Sequence, residues 1–169
     1  EELPDWEGHL EIEAMVNMPD TNGISFITML GDYGWGLYIN DGYVVYSNEY
    51  SMSKNPVSNI SITENNWTNV KVVVEENSYG EFFIDGIPAG TFDADNATIP
   101  VGDFGSNSCF QDGLECDELY IGRMGAGCDC NYFMGMLDDV VFRNAANESN
   151  WQFQEGEGSV TVDYSSRNA

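Results

Sequence analysis

The sequence predicts an all-β fold, a two-sheet antiparallel β-sandwich of the jelly-roll kind. Apolar residues recur at every second position in several segments, turn-forming residues separate those segments at short intervals, and no segment carries a helical period. Many short strands broken by turn chemistry are the pattern of two sheets packed face to face.

The first strand runs from His9 to Met18, with Leu10, Ile12, Ala14, Val16 and Met18 on one face and Glu11, Glu13 and Asn17 on the other. A turn at Pro19-Asp20-Thr21-Asn22-Gly23 leads to strands at Ile24–Leu30 and Trp35–Ile39. The Asn40-Asp41-Gly42 turn then returns the chain through Tyr43-Val44-Val45-Tyr46. A second hairpin pairs Trp67–Glu75, where Val70, Val72 and Val74 share a face, with Gly80–Ile84, and it ends at the tight Asp85-Gly86 bend. Strands follow at Leu119–Ile121 and Met134–Phe142. In the last of these, alternation places Asp138 on the face of Val140 and Phe142, and Asp139 on the other.

With 169 residues the chain is long enough for one domain with a proper core. Its 29 acidic residues against 5 basic ones leave a formal charge of −24, which repels phosphate backbones and anionic headgroups, so nucleic acid is an unsuitable partner. No stretch reaches the roughly 20 apolar residues that cross a bilayer, so membrane insertion is not expected. The start Glu1-Glu2-Leu3-Pro4 has none of the regions of a signal peptide, and a secreted chain is expected to have lost it already.

Cys109, Cys116, Cys128 and Cys130 fall close together in a loop-rich segment, an even number that favours two disulfides and an oxidising, extracellular compartment. Zinc is the alternative, although these spacings do not form two C-x2-4-C pairs. Sequons begin at Asn59, Asn66, Asn96 and Asn147, as on a secreted glycoprotein, although a chain this rich in Asn also generates sequons by chance.

Three landmarks together resemble the laminin G-like jelly rolls of the concanavalin A-like lectin and glucanase superfamily. They are the opening strand Leu10-Glu11-Ile12-Glu13-Ala14-Met15-Val16; the hairpin from Trp67 to Phe83-Ile84-Asp85-Gly86; and Leu119-Tyr120-Ile121-Gly122 followed by Gly135-Met136-Leu137-Asp138-Asp139-Val140-Val141-Phe142. The resemblance spans most of the chain and departs at its end. There, Trp151-Gln152-Phe153-Gln154-Glu155-Gly156-Glu157-Gly158 and Asp163-Tyr164-Ser165-Ser166 look like the segment that normally opens such a domain. The chain accordingly divides into a body, residues 1–150, and a C-terminal strand segment, residues 151–169, that completes either the same domain or a neighbouring copy. The connector Asn144–Asn150 spans about 23 Å when extended, enough for either route. Handover to a neighbour would be head-to-tail and build a filament, because an uncovered sheet edge demands a strand.

The resemblance also implies calcium where the opening segment meets the Asp-Asp strand, with Asp138 as first ligand and Asp139 and Asp163 next. The expected inward position of Asp138 supports this independently, since a desolvated carboxylate needs a cation or several donors. A strand-end Asp138 accepting backbone N–H groups is the competing reading. A second calcium among Asp103, Asp112, Glu115, Asp117, Glu118 and Asp129 has no EF-hand pattern behind it.

Catalysis is not expected: the nearest acidic run, Glu115-Cys116-Asp117-Glu118, lacks the last Glu of the superfamily's glucanase motif, and His9 is the only histidine. Among Tyr33, Trp35, Tyr38, Tyr43, Tyr46 and Tyr50, the first three are candidates for stacking on sugar rings, with core packing as the competing reading. The leading expectation is therefore a calcium-stabilised, non-enzymatic extracellular module, structural or adhesive, whose partners are copies of itself or neighbouring repeats. The alternative is a carbohydrate-binding, lectin-like module of a secreted or cell-surface protein.

Overall fold

The structure, a computed structural model, describes residues 8–30, 35–47, 55–97, 119–124, 132–144, 148–153 and 162–163. The described residues form twelve strands: β1 (His9–Asn17), β2 (Ile24–Leu30), β3 (Gly36–Asn40), β4 (Tyr43–Ser47), β5 (Val57–Ser61), β6 (Thr68–Glu75), β7 (Tyr79–Ile84), β8 (Ile87–Asp93), β9 (Leu119–Ile121), β10 (Met136–Arg143), β11 (Glu148–Gln152) and β12 (Val162–Asp163). They build two antiparallel sheets, seven strands in the order β12-β11-β10-β1-β6-β7-β8 and five in the order β5-β4-β3-β2-β9. The fold is the two-sheet antiparallel sandwich that the alternation predicted, and no helix long and apolar enough to cross a membrane is present among the described residues.

Alternation explains the large sheet. Leu10, Ile12, Ala14 and Val16 of β1, and Val70, Val72 and Val74 of β6, are fully buried, while the intervening residues face outward. They pack against Ile27, Leu37, Ile39, Val44 and Tyr46 of the small sheet in one core. Burial pushes the Tyr46 phenol well above its ordinary value.

Two hairpins are set by the same turn. Asp41 and Gly42, and again Asp85 and Gly86, both have positive φ (49° and 84°; 51° and 74°), the geometry of a type I′ turn that matches strand twist. Each aspartate also ties its turn to another strand. Asp41 Oδ1 accepts the Gly23 N–H at 2.8 Å, and Asp85 Oδ1 accepts that of Asn69 at 2.9 Å.

Several features depart from the sequence expectations. Strands β5 and β8, which carry weak alternation, were not anticipated; they form the edges along which the two sheets meet, with Gly90 (φ 130°) packed against Asn59. The small sheet is buried on both faces, because Phe26, Met29, Tyr38, Val45 and Met124 form a second buried cluster on its outer side. Strands of that kind read as continuous apolar runs instead of alternating ones.

The most consequential departure is a β-bulge in β10. Opposite β1 the register jumps from Glu13↔Val141 to Met15↔Asp138, and Asp139 takes φ 46° to accommodate the extra residue. Parity is thereby reset. Asp138 lies on the outward face with Met15, whereas Phe142 pairs with inward Ile12 and Val140 is buried in the core. The expectation that Asp138 shares a face with Val140 and Phe142 is thus corrected.

The C-terminal segment begins earlier than Trp151: β11 starts at Glu148 and pairs with β10 of the same chain, Val140 opposite Trp151 and Phe142 opposite Ser149. The division at 150/151 therefore falls inside a strand. Trp151 meets Phe142 edge-on, with ring centroids 6.1 Å apart, which anchors β11 to the core.

Candidate ligand-binding groove

Of the three calcium candidates, Asp138 is the best described. Its Oδ1 accepts the backbone N–H groups of Asp139 at 2.8 Å and Phe153 at 3.2 Å, so donors already compensate this half-buried carboxylate. Asp163 occupies a register position opposite Trp151, two strands away from β10. With strands about 4.8 Å apart, the backbone does not bring it beside Asp138. Among the described residues no three His, Cys, Asp or Glu side chains converge as a metal site. Cys109, Cys116, Cys128 and Cys130, and the acidic residues around them, lie outside the described residues.

The stacking candidates fare differently from expectation. Tyr33 lies outside the described residues, and Trp35 is half-buried against the main core. Tyr38 is only 2% exposed, tilted against Phe26 at 4.9 Å, with its hydroxyl accepting a hydrogen bond from Asn55 at 3.3 Å. Burial raises its phenol above the ordinary value, opposed by the Asn55 bond. Tyr38 therefore offers no free ring face, while Trp35 contributes to packing and stays partly exposed. Among the sequon residues, Asn59 and Asn66 are exposed, Asn96 is half-buried, and Asn147 is outside the described residues.

The outer face of the large sheet carries a charge network. Arg143 Nη1 bonds Glu11 and, at 2.8 Å, Glu13, while its Nε bonds Glu148 at 2.7 Å; Lys71 adds a pair with Glu11 at 3.7 Å. Partial burial pushes the Glu13 carboxyl up, but the hydrogen bonds from Arg143 and Asn69 and the charges of Arg143 and Lys71 outweigh it and hold the group below its usual range. Burial lowers Arg143 and its three glutamates raise it by more, so it stays charged. These carboxylates are committed to ion pairs and offer no acid–base couple. His9 Nδ1 is likewise held by Glu75 at 2.7 Å.

A cavity of about 670 Å³ opens instead at the seam of the two sheets, lined by Pro56, Val57, Tyr79, Thr91, Phe92, Asp93 and Asn96. Pro56 and Val57 come from the edge of the small sheet, Tyr79 opens β7, and Thr91, Phe92 and Asp93 close β8. The register sets Tyr79 directly across from Asp93 and Gly80 across from Phe92. Because Gly80 has no side chain, the Phe92 ring lies over it and packs between Phe82 (5.3 Å) and Tyr46 (5.8 Å), making a firm floor.

The polar wall is equally fixed. The Asp93 carbonyl accepts the N–H groups of Asn96 (3.1 Å) and Ala97 (3.0 Å), and its Oδ1 accepts Asn96 Nδ2 at 3.0 Å. Asn77 N–H then bonds the Ala97 carbonyl at 2.9 Å, tying this turn to the one that carries Tyr79. Tyr79 and Val57 remain 46% and 50% exposed, apolar surface beside polar groups. The sequence hinted at Tyr79 only as an aromatic residue inside turn chemistry, where the core has no use for it.

The chain matches no family model and no curated protein. Solved structures do match. A protein of Bacteroides ovatus, described as a candidate carbohydrate-binding protein, superposes with a TM-score of 0.66 at 16% identity, over 93% of this chain and 49% of that one. The CBM40 of the Ruminococcus gnavus IT-sialidase, bound to α2,3-sialyllactose, gives 0.55 at 18% identity over 76% and 71%. The heptameric SAP-like pentraxin of Limulus polyphemus gives 0.56 at 15% over 84% and 66%. These likenesses show the fold, a two-sheet antiparallel β-sandwich. This chain spans about half the length of the Bacteroides protein.

Proposed function

We propose that this chain is a non-catalytic carbohydrate-binding module of a secreted or cell-surface protein, built on a laminin G-like variant of the jelly roll and binding glycan in the seam groove. The observation that carries this is the groove itself: an exposed tyrosine and valine stand beside Asp93, Asn96 and Thr91, all held by backbone hydrogen bonds and a packed phenylalanine floor. A sugar ring presents apolar C–H faces and a rim of hydroxyls, and a rigid aromatic next to hydrogen-bonding side chains is complementary to both. The carbohydrate-binding character of the Bacteroides and Ruminococcus proteins supports the same reading.

The structural, filament-forming reading draws less support. The opening-like segment already pairs with β10 within its own chain, so no neighbouring copy is needed to cover that edge. Calcium has no part in the proposed binding.

Retention on a printed glycan array tests the proposal. Wild-type protein should be retained on some neutral or acidic glycans, and Tyr79→Ala should weaken that retention about tenfold, the order of one lost ring contact and its buried area. Circular dichroism and the unfolding midpoint should stay unchanged. Undiminished binding by a folded Tyr79→Ala variant would remove the groove from the account.

A further inference from the structure

The groove's lining distinguishes between classes of sugar. Among the described lining residues Asp93 is the single charged member, and none is cationic. Among the described cations, Lys71 and Arg143 are engaged with glutamates on the outer sheet face, and Arg123 lies over the Tyr120 ring 4.8 Å away. Recognition of a sugar carboxylate or sulfate ordinarily uses a charge-assisted bond from Arg or Lys. Here an anionic sugar would meet a fixed carboxylate inside a chain of formal charge −24.

Asp93 is suited to another task. A carboxylate has roughly four lone-pair sites, and the bond from Asn96 uses only part of that capacity, leaving acceptors for paired sugar hydroxyls. Thr91 and Tyr79 contribute hydroxyls that both donate and accept.

We infer that the groove selects uncharged glycans and rejects sialylated and uronate ones, in contrast to the sialyllactose-binding Ruminococcus module of similar fold. This rests on the groove being the glycan site, and it adds that Asp93 is the residue setting specificity.

The test uses the full chain from a host without N-glycosylation, so that the Asn96 sequon carries no glycan, and measures binding to matched pairs. The pairs are lactose with α2,3-sialyllactose, and methyl-esterified with de-esterified oligogalacturonides. The neutral member of at least one pair should bind at least about tenfold more tightly than its acidic partner at low salt. The gap should narrow several-fold at 0.5 M NaCl, where screening is strong, and also in Asp93→Asn. Equal or tighter binding of the acidic members would overturn the selectivity while leaving the groove as a glycan site. A gap unaffected by both salt and Asp93→Asn would overturn the electrostatic origin. Failure of every glycan, neutral or acidic, to bind would overturn both the selectivity and the functional reading beneath it.

Discussion

Replacing Gly80 by alanine tests how the groove floor is built. A Cβ at this position would overlap the Phe92 ring; even Cε1, the farthest of the three ring atoms it meets, would be only 2.5 Å away. The backbone there is ordinary strand, since Gly80 is absent from the residues of positive φ, so the substitution acts through packing alone. The ring cannot yield freely, because Phe82 and Tyr46 hold it from two sides. Displacing it gives up two aromatic contacts of about 0.5–1.5 kcal/mol each. Alanine in place of glycine recovers about 0.5–1 kcal/mol of chain entropy. The expected net loss is about 1–2 kcal/mol, which at a urea slope near 2 kcal/mol/M lowers the midpoint by roughly 0.5–1 M. The decisive comparison uses the Phe92→Ala background, where the obstacle is gone: there the same Gly80→Ala change should be neutral or stabilise by about 0.5 kcal/mol. Urea unfolding followed by tryptophan fluorescence for all four proteins gives the cycle. An equal effect of Gly80→Ala in both backgrounds would refute the argument that the ring and the glycine are coupled.

Other substitutions probe the sheet itself. Asp139→Gly should raise stability by about 0.5–1 kcal/mol in thermal or urea unfolding, because glycine adopts φ 46° without strain while the N–H to Asp138 is retained; a loss would show that the Asp139 side chain contributes more than the bulge costs. Arg143→Met leaves Glu11, Glu13 and Glu148 facing one another without their shared cation, and at 33% exposure the expected loss is about 1–3 kcal/mol at pH 7. Glu13 is held below its ordinary value, so its contribution is present above the unfolded glutamate pKa of about 4.3 and disappears as pH falls through the lower folded value. The difference between wild type and Arg143→Met should therefore shrink below about pH 4; a gap that stays constant down to pH 3 would exclude the ion network as its source.

The sequence by itself determined the sandwich, because a half-buried strand must alternate and a type I′ turn must place residues such as Asp-Gly where φ is positive. The β1 and β6 core residues and the hairpin turned at Asp41-Gly42 were legible on these grounds, whereas the Asp85-Gly86 bend was legible without the strand β8 that follows it. What only the tertiary structure decided was parity and cover. One extra residue in β10 reversed the face of Asp138, and nothing in the local pattern marks where such a bulge absorbs it. Burial of the small sheet on both faces turned Tyr38 from a candidate platform into packing, since a strand's own residues do not say what lies over them. The groove was invisible for the same reason: Val57, Tyr79 and Asp93 are far apart along the chain and meet only because the edges of two sheets close on each other.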